Sequence, residues 1–479
     1  MYKLSRDLIT ALNRQEISYC HWKSNLLLNE ALNGYDDLDL LVKKGQVSVF
    51  ESVISALGFK RAANKHLEIQ AVHHFYGFDQ DSGEVLHLHV YYQIKTGLSW
   101  TKFMRFDIEE VILSNLAIHE SGMPIPEKHI EFPIFVIRIM MKFSKLNEYI
   151  LVKKEEPRII NEIAFLLDEM NKDKLDMFLK KCFKNISMDL LFNYVRIIQK
   201  GNFITRYIEA IKLRRKLTRY VYQGVLVNSY KNLVQFIYRL LNKLFYKQKK
   251  RLHNGGAIVV VAGLDATGKT TVTNDLKIWL GKNLSTKLYH FGKPSSAFLT
   301  LPINILIKTI RRGSSIDSEL RSSTKTVKVR KSYLFLIRQV VLAYDRYRLV
   351  QKLWRNATNG DVVICDRYKA EEIAVMDSKR LDIKEYSGFK RILAVTENKF
   401  YDLMPEPDLL FYLTVPVEVA VQRNNDRIKS GKESEDFLRL RHAQNQDLTY
   451  KAKVFARIDT NKEYAKVIRE IKEIIFNNI

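Results

Sequence analysis

The run Gly263-Leu-Asp-Ala-Thr-Gly-Lys-Thr-Thr271 fits the spacing G-x-x-x-x-G-K-[ST] without a mismatch. Glycines at these positions let backbone N–H groups converge on phosphate oxygens, and a helix starting at the lysine adds a favourable dipole. The flanking sequence suits that geometry. Ala257-Ile-Val-Val-Val-Ala262 reads as a strand, and an amphipathic helix is predicted from about Lys269. Lys269 is expected to bridge β- and γ-phosphates and Thr270 to hold Mg²⁺. The candidate nucleotide-binding set is Gly263, Asp265, Ala266, Thr267, Gly268, Lys269, Thr270 and Thr271, with Mg²⁺ as the expected ion. The loop alone does not separate kinase from GTPase, ATPase or motor, but no base-reading N-K-x-D follows it.

A second constellation lies near the N-terminus. Asp37-Leu-Asp39 alternates carboxylates on a predicted strand, which puts both on one face, where they could share Mg²⁺. Lys23-Ser24 precedes the pair, Asp36 adjoins it, and His87 and His89 fall on a later strand with Glu84 just before it. A solvated turn entering a strand gives the same pattern, and His87 and His89 also suit a hairpin face.

The elements that must position these groups follow from composition and periodicity. The chain has 479 residues, 46% hydrophobic and 27% charged, which excludes disorder and low complexity for most of its length. Cys20, Cys182 and Cys365 are odd in number and widely spaced, as expected of reduced buried thiols. The N-terminus lacks an apolar leader, and the apolar runs around 132–143 and 298–310 are short and flanked by Lys and Arg. A cytoplasmic location is expected, with the inner membrane surface as a peripheral alternative. The net charge of +25 favours polyanionic partners: nucleotides, nucleic acid or anionic lipid.

Three segments emerge. Residues 1–106 read as a small α/β unit, with a hairpin turn at Asp81-Ser-Gly83. Residues 107–253 are helical and basic, and Lys212–Arg251 carries twelve Lys or Arg and no Asp or Glu. That stretch suits a solvated face, a membrane-surface helix or a nucleic-acid contact. From 254 to 479, the predicted strands Ala257–Ala262, Lys287–Phe291, Asp361–Cys365, Asp408–Thr414 and Val454–Asp459 alternate with helices, the pattern of a parallel α/β sheet.

Several ordered motifs in that last segment resemble the thymidylate kinase family of P-loop nucleoside monophosphate kinases. They are the phosphate loop with its acidic Asp265, Ala343-Tyr-Asp-Arg346, Gly360-Asp-Val-Val-Ile-Cys-Asp-Arg-Tyr368, Pro407 to Ala420, the arginines Arg423 and Arg427, and Ile458-Asp-Thr460. The resemblance implies transfer of the ATP γ-phosphate to a nucleoside monophosphate, thymidylate first, and a homodimer. It assigns Mg²⁺ also to Asp366, the acceptor's phosphate to Arg346 and Arg367, and the closing lid to Arg423 and Arg427, which stand at i and i+4. Asp265 would accept from an acceptor sugar hydroxyl. The family's acceptor loop is replaced by Phe291-Gly-Lys293-Pro294, where Lys293 would supply charge, and Lys369-Ala-Glu-Glu372 replaces small residues. These departures fall on the acceptor side, so ATP is better supported than thymidylate.

The N-terminal Asp37-x-Asp39 resembles the D-x-D of nucleotidyltransferase-fold enzymes, which implies a nucleotidyltransferase-like fold there, either with a second, transferase activity or with that activity lost or altered. The alternatives are a nucleic-acid end-processing kinase joined to a nucleotidyltransferase, and a non-catalytic nucleotide-binding protein at a membrane.

Overall fold

The computed structural model describes residues 1–479 except 65, 100, 293, 298–299, 306–331, 374, 427–433 and 445–447. The chain forms two compact units, Met1–Gln248 and Lys249–Ile479. No helix among the described residues is long and apolar enough to cross a membrane.

In the first unit, strands β1 (Tyr19–His21), β2 (Leu38–Val42), β3 (Lys60–Ala63), β4 (Val72–Asp79) and β5 (Glu84–Tyr91) follow the spatial order β1-β2-β5-β4-β3. β2 and β5 run parallel, and the other neighbours pair antiparallel. Alternation in β5 sends Leu86, Leu88 and Val90 into a core with Leu38, Leu40 and the helix Lys3–Arg14. His87, His89 and Tyr91 take the opposite face. Gly83, at φ +71°, closes the hairpin between β4 and β5.

That opposite face is covered by the helical region. The apolar run at 132–143 becomes the central helix Lys128–Lys142, buried along most of its length. Trp22, Leu41 and Tyr91 share one continuous core with this helix and with Leu175, Tyr194 and Leu213. Segments 1–106 and 107–248 therefore pack as one body, because the sheet and the helices bury their apolar surfaces against each other.

The second unit is a five-stranded parallel sheet of β6 (Ile258–Gly263), β7 (Thr286–His290), β8 (Val362–Asp366), β9 (Leu409–Thr414) and β10 (Val454–Asp459), ordered β7-β8-β6-β9-β10. All five predicted strands are present within a residue of their expected limits. β6 is buried at every position, as a central strand covered on both faces must be, and so reads as an unbroken apolar run. Its carboxyl end lies between those of β8 and β9, which places residues following all three strands at one crevice.

Candidate active site

Gly263 ends β6 at φ +145°, and a Cβ there would lie 2.5 Å from the backbone oxygen of Leu413. Gly268, at φ +91°, has open space where a Cβ would stand and precedes the helix Lys269–Gly281. Only glycine combines these torsions with a free approach to the loop. The Lys269 side chain is buried, and its ammonium donates to the Leu264 carbonyl, which also accepts from the Thr267 hydroxyl at 2.8 Å. Burial pushes the Lys269 amine down to about 8, and Arg367 adds to that against the pull of Asp265, Asp366 and Asp377. Thr270 and Thr271 are exposed in the first turn of the helix.

Asp366 closes β8 beside this loop, in register with Val261 of β6 and His290 of β7. One carboxylate oxygen meets His290 Nδ1 at 2.9 Å. The other is buried without a hydrogen-bond partner. A buried carboxylate oxygen left unpaired is costly, so its position suits a cation or a cation's water shell.

Arg367 holds φ +72°, and Ala266 and Asp377 are likewise in the left-handed region, at +64° and +61°. These are the three non-glycine residues of this unit with positive φ among the described residues; Ala266 stands in the phosphate loop, and Arg367 and Asp377 pair with each other. Each costs about 1–3 kcal/mol, which surrounding contacts must offset. The contacts are plain. Arg367 reaches Asp265 at 3.1 Å and Asp377 at 3.2 Å. Arg346, from the helix Tyr333–Thr358, reaches the other oxygen of Asp377 at 2.9 Å, donates to the Tyr401 hydroxyl at 2.6 Å and lies over the Phe291 ring. Its neighbour Asp345 accepts from Ala297 N, Thr300 Oγ1 and Asn304 Nδ2.

Asp265 is occupied on both oxygens, by Arg367 and, at 2.6 Å, by Arg441. Burial would raise its carboxyl, but Lys269, Arg441 and Arg367 hold it below the usual carboxylate range. His442 Nε2 lies 3.1 Å from the Asp265 carbonyl oxygen. Arg441 and His442 come from the helix Glu435–Gln444, which thereby clamps the phosphate loop. Arg423 instead donates to Thr460, at 3.2 Å to Oγ1 and 2.7 Å to the carbonyl. With Thr271, Lys462 and Val467 it lines a pocket of about 300 Å³ against the outer side of the phosphate loop. Arg427 and Lys293 lie outside the described residues.

Asp377, Arg441 and His442 were not among the expected site residues. Asp377 is the one acid between Glu372 and Asp382, a weak sequence signal, and Arg441 and His442 stand in an unremarkable basic run. The charged Lys369–Glu372 segment is tied down by its own contacts. Lys369 donates to the Tyr401 carbonyl, and Glu372 accepts from Thr449 N at 2.7 Å.

In the first unit Asp37 and Asp39 face the same way, as their spacing requires, and each meets a histidine of β5. Asp37 contacts His87 at 2.5 Å; Asp39 contacts His89 at 2.9 Å and Lys23 at 2.7 Å. Burial would raise the Asp39 carboxyl, but Lys23 and His89 hold it well below the ordinary range. Burial pushes His89 down to about 4 despite Asp39, so at neutral pH its Nδ1–H donates as an uncharged imidazole. The pair is thus built into a hydrogen-bonded cluster. Among the described residues, no group of three or more His, Cys, Asp or Glu is arranged to hold a metal ion.

Residues 261–471 match the model of the thymidylate kinase family. A thymidylate kinase of Leptospira interrogans serogroup Icterohaemorrhagiae serovar copenhageni is 31% identical over 226 residues, covering 46% of this chain and 94% of that protein. A thymidylate kinase of Prochlorococcus marinus (strain NATL1A) is 28% identical over 241 residues, covering 46% and 99%. A solved thymidylate kinase from Candida albicans covers 47% of this chain and 92% of its own at 19% identity, with a TM-score of 0.28, too low to add to the family evidence.

Proposed function

Residues 261–471 make this chain a member of the thymidylate kinase family, and from that premise we propose that its second unit transfers the γ-phosphoryl group of ATP to a nucleoside monophosphate, thymidylate first among the acceptors. The observation that carries this reading is the convergence of charged groups at the loop: Arg367 and Asp366 both act on the buried Lys269, Arg367 pairs with Asp265 of the loop, and Arg367 shares Asp377 with Arg346.

The loop binds the donor. Its amides and Lys269 neutralise the β- and γ-phosphates, and the pocket lined by Arg423 and Thr460 receives the adenine end. Asp366, through its unpartnered oxygen, and Thr270 would hold Mg²⁺, which when bound draws charge from the β- and γ-phosphate oxygens. Arg367 and Arg346 receive the acceptor's phosphate, where two guanidinium forks orient an attacking oxygen. Arg441, paired with Asp265 of the loop at 2.6 Å, would add positive charge beside the bound phosphates. Transfer makes a bond from the acceptor oxygen to the γ-phosphorus and breaks its bond to the β–γ bridging oxygen, releasing ADP.

The test is transfer from labelled ATP to nucleoside monophosphates, sugar phosphates and an oligonucleotide. A labelled nucleoside diphosphate is expected. Label on the oligonucleotide alone would favour the end-processing reading.

A further inference from the structure

We infer that the helix Val225–Leu241 and its continuation to Phe245 form a docking surface for an anionic lipid bilayer. The helix is amphipathic but faces the wrong way for a globular protein. Its polar side is turned inward: Asn228 is buried, and the Tyr238 hydroxyl reaches Asn64 at 3.2 Å with its ring on His66. Its apolar stripe points outward. Leu226, Tyr230, Leu233, Ile237, Leu240 and Leu244 recur at intervals of three and four, so they form one line along the helix. Leu226 is 86% exposed, Tyr230 68%, Leu233 57% and Ile237 46%. A water-facing line of this length is unusual on a soluble surface and marks an interaction site.

Charge identifies the occupant. No Asp or Glu stands between 212 and 251, and Lys243 and Lys247, at and just past the end of the helix, are exposed. A second copy of this chain docked on the same surface would bring the two basic stretches together. A nucleic acid would neutralise the cations but leave the apolar stripe uncovered. An anionic bilayer meets both halves of the surface, with acyl chains against the stripe and headgroup phosphates against the lysines. Seventeen residues span about 25 Å of helix, too short and too flanked by charge to cross, so the helix lies in the plane of the interface.

The experiment is co-sedimentation of the full chain with phosphatidylcholine vesicles, with and without roughly 30% phosphatidylglycerol. The variant Leu233→Asp/Ile237→Asp changes two exposed positions and should fold as the parent does, as circular dichroism would show. Binding is expected on the anionic vesicles, at least about tenfold weaker on phosphatidylcholine alone, and reduced by salt. The double variant should lose at least about tenfold in vesicle affinity while keeping phosphotransfer in solution. Equal binding of the folded variant, or of neutral vesicles, would overturn the inference. So would a dimer, seen by sedimentation without lipid, that the double variant dissolves while vesicles bind neither form. Oligonucleotide binding with no vesicle binding would likewise sink it.

Discussion

Arg346 and Arg367, from a helix and from the end of a strand, share the two oxygens of a single buried carboxylate, Asp377, at 2.9 and 3.2 Å. Two guanidinium groups so close repel one another unless an anion lies between them. Asp377 supplies that anion before the acceptor arrives, and it holds both side chains aimed at one point.

Asp377→Asn should therefore misplace both arginines and act more on the acceptor side than on the donor loop, which keeps its own backbone and Lys269. Each charge-assisted hydrogen bond contributes about 1.5–3 kcal/mol, so the KM for the monophosphate should rise roughly tenfold or more while that for ATP stays within about twofold. Steady-state kinetics with each substrate varied in turn reads the difference. Equal rises in both constants would show a general loss of structure instead.

Lys269 titrates near 8 because it is buried beside Arg367. Bound phosphate would raise that value, so nucleotide binding above about pH 8 must take up a proton. ATP affinity should fall as pH rises through 8, by up to about tenfold per unit until the bound-state value is reached. Titration calorimetry in buffers of different ionisation enthalpy would detect the uptake. A flat affinity between pH 7 and 10 would contradict the assignment of Lys269 to the phosphates.

Gly263→Ala and Gly268→Ala should separate folding from binding. The first meets the Leu413 carbonyl in a strained torsion and should cost about 1–3 kcal/mol of stability. The second meets no atom of the protein, so it carries the torsional strain of φ +91° without a clash and should cost less stability than the first while also weakening nucleotide binding. Thermal melts with and without ATP distinguish the two.

Glu131 gives a stability signal in the first unit. Burial raises its carboxyl to about 7, although Asn25 donates to it from both its amide side chain and its backbone. Because the folded value exceeds the unfolded one, the folded state binds the proton more tightly. The contribution is whole below about pH 4.5 and is lost as pH rises through 7. Glu131→Gln should remove this loss, and its stability relative to the parent should improve by up to about 3 kcal/mol between pH 4.5 and 8. Denaturant melts at the two pH values check it, and an unchanged difference would refute the assignment.

How much of this could be read from sequence depended on how local each signal was. The phosphate loop is one contiguous stretch whose glycine torsions are dictated by its own geometry, so spacing sufficed. The strands of the second unit were legible because each is buried on both faces, leaving apolar runs with clear ends. Asp377 and Arg441 were not, because they reach the site from turns and helices whose path depends on tertiary packing. The i, i+4 spacing of Arg423 and Arg427 suggested a shared lid face, yet Arg423 is hydrogen-bonded to Thr460, a partner set by β10 and invisible to spacing. Residues 107–253 read as a separate helical region because periodicity reports an apolar face and not what covers it. Here it is the sheet carrying Trp22 and Tyr91. The same blindness applied to Val225–Leu241: a basic stretch suits several kinds of surface, and only the fold shows its apolar line exposed.

The most direct test of the central claim is phosphate transfer from labelled ATP to thymidylate by the full chain and by Lys269→Ala, with circular dichroism confirming that both are folded. The account expects a labelled thymidine diphosphate from the parent and a loss of at least about a thousandfold in the variant. Undiminished transfer by folded Lys269→Ala, or no transfer by the parent to any nucleoside monophosphate, would contradict it.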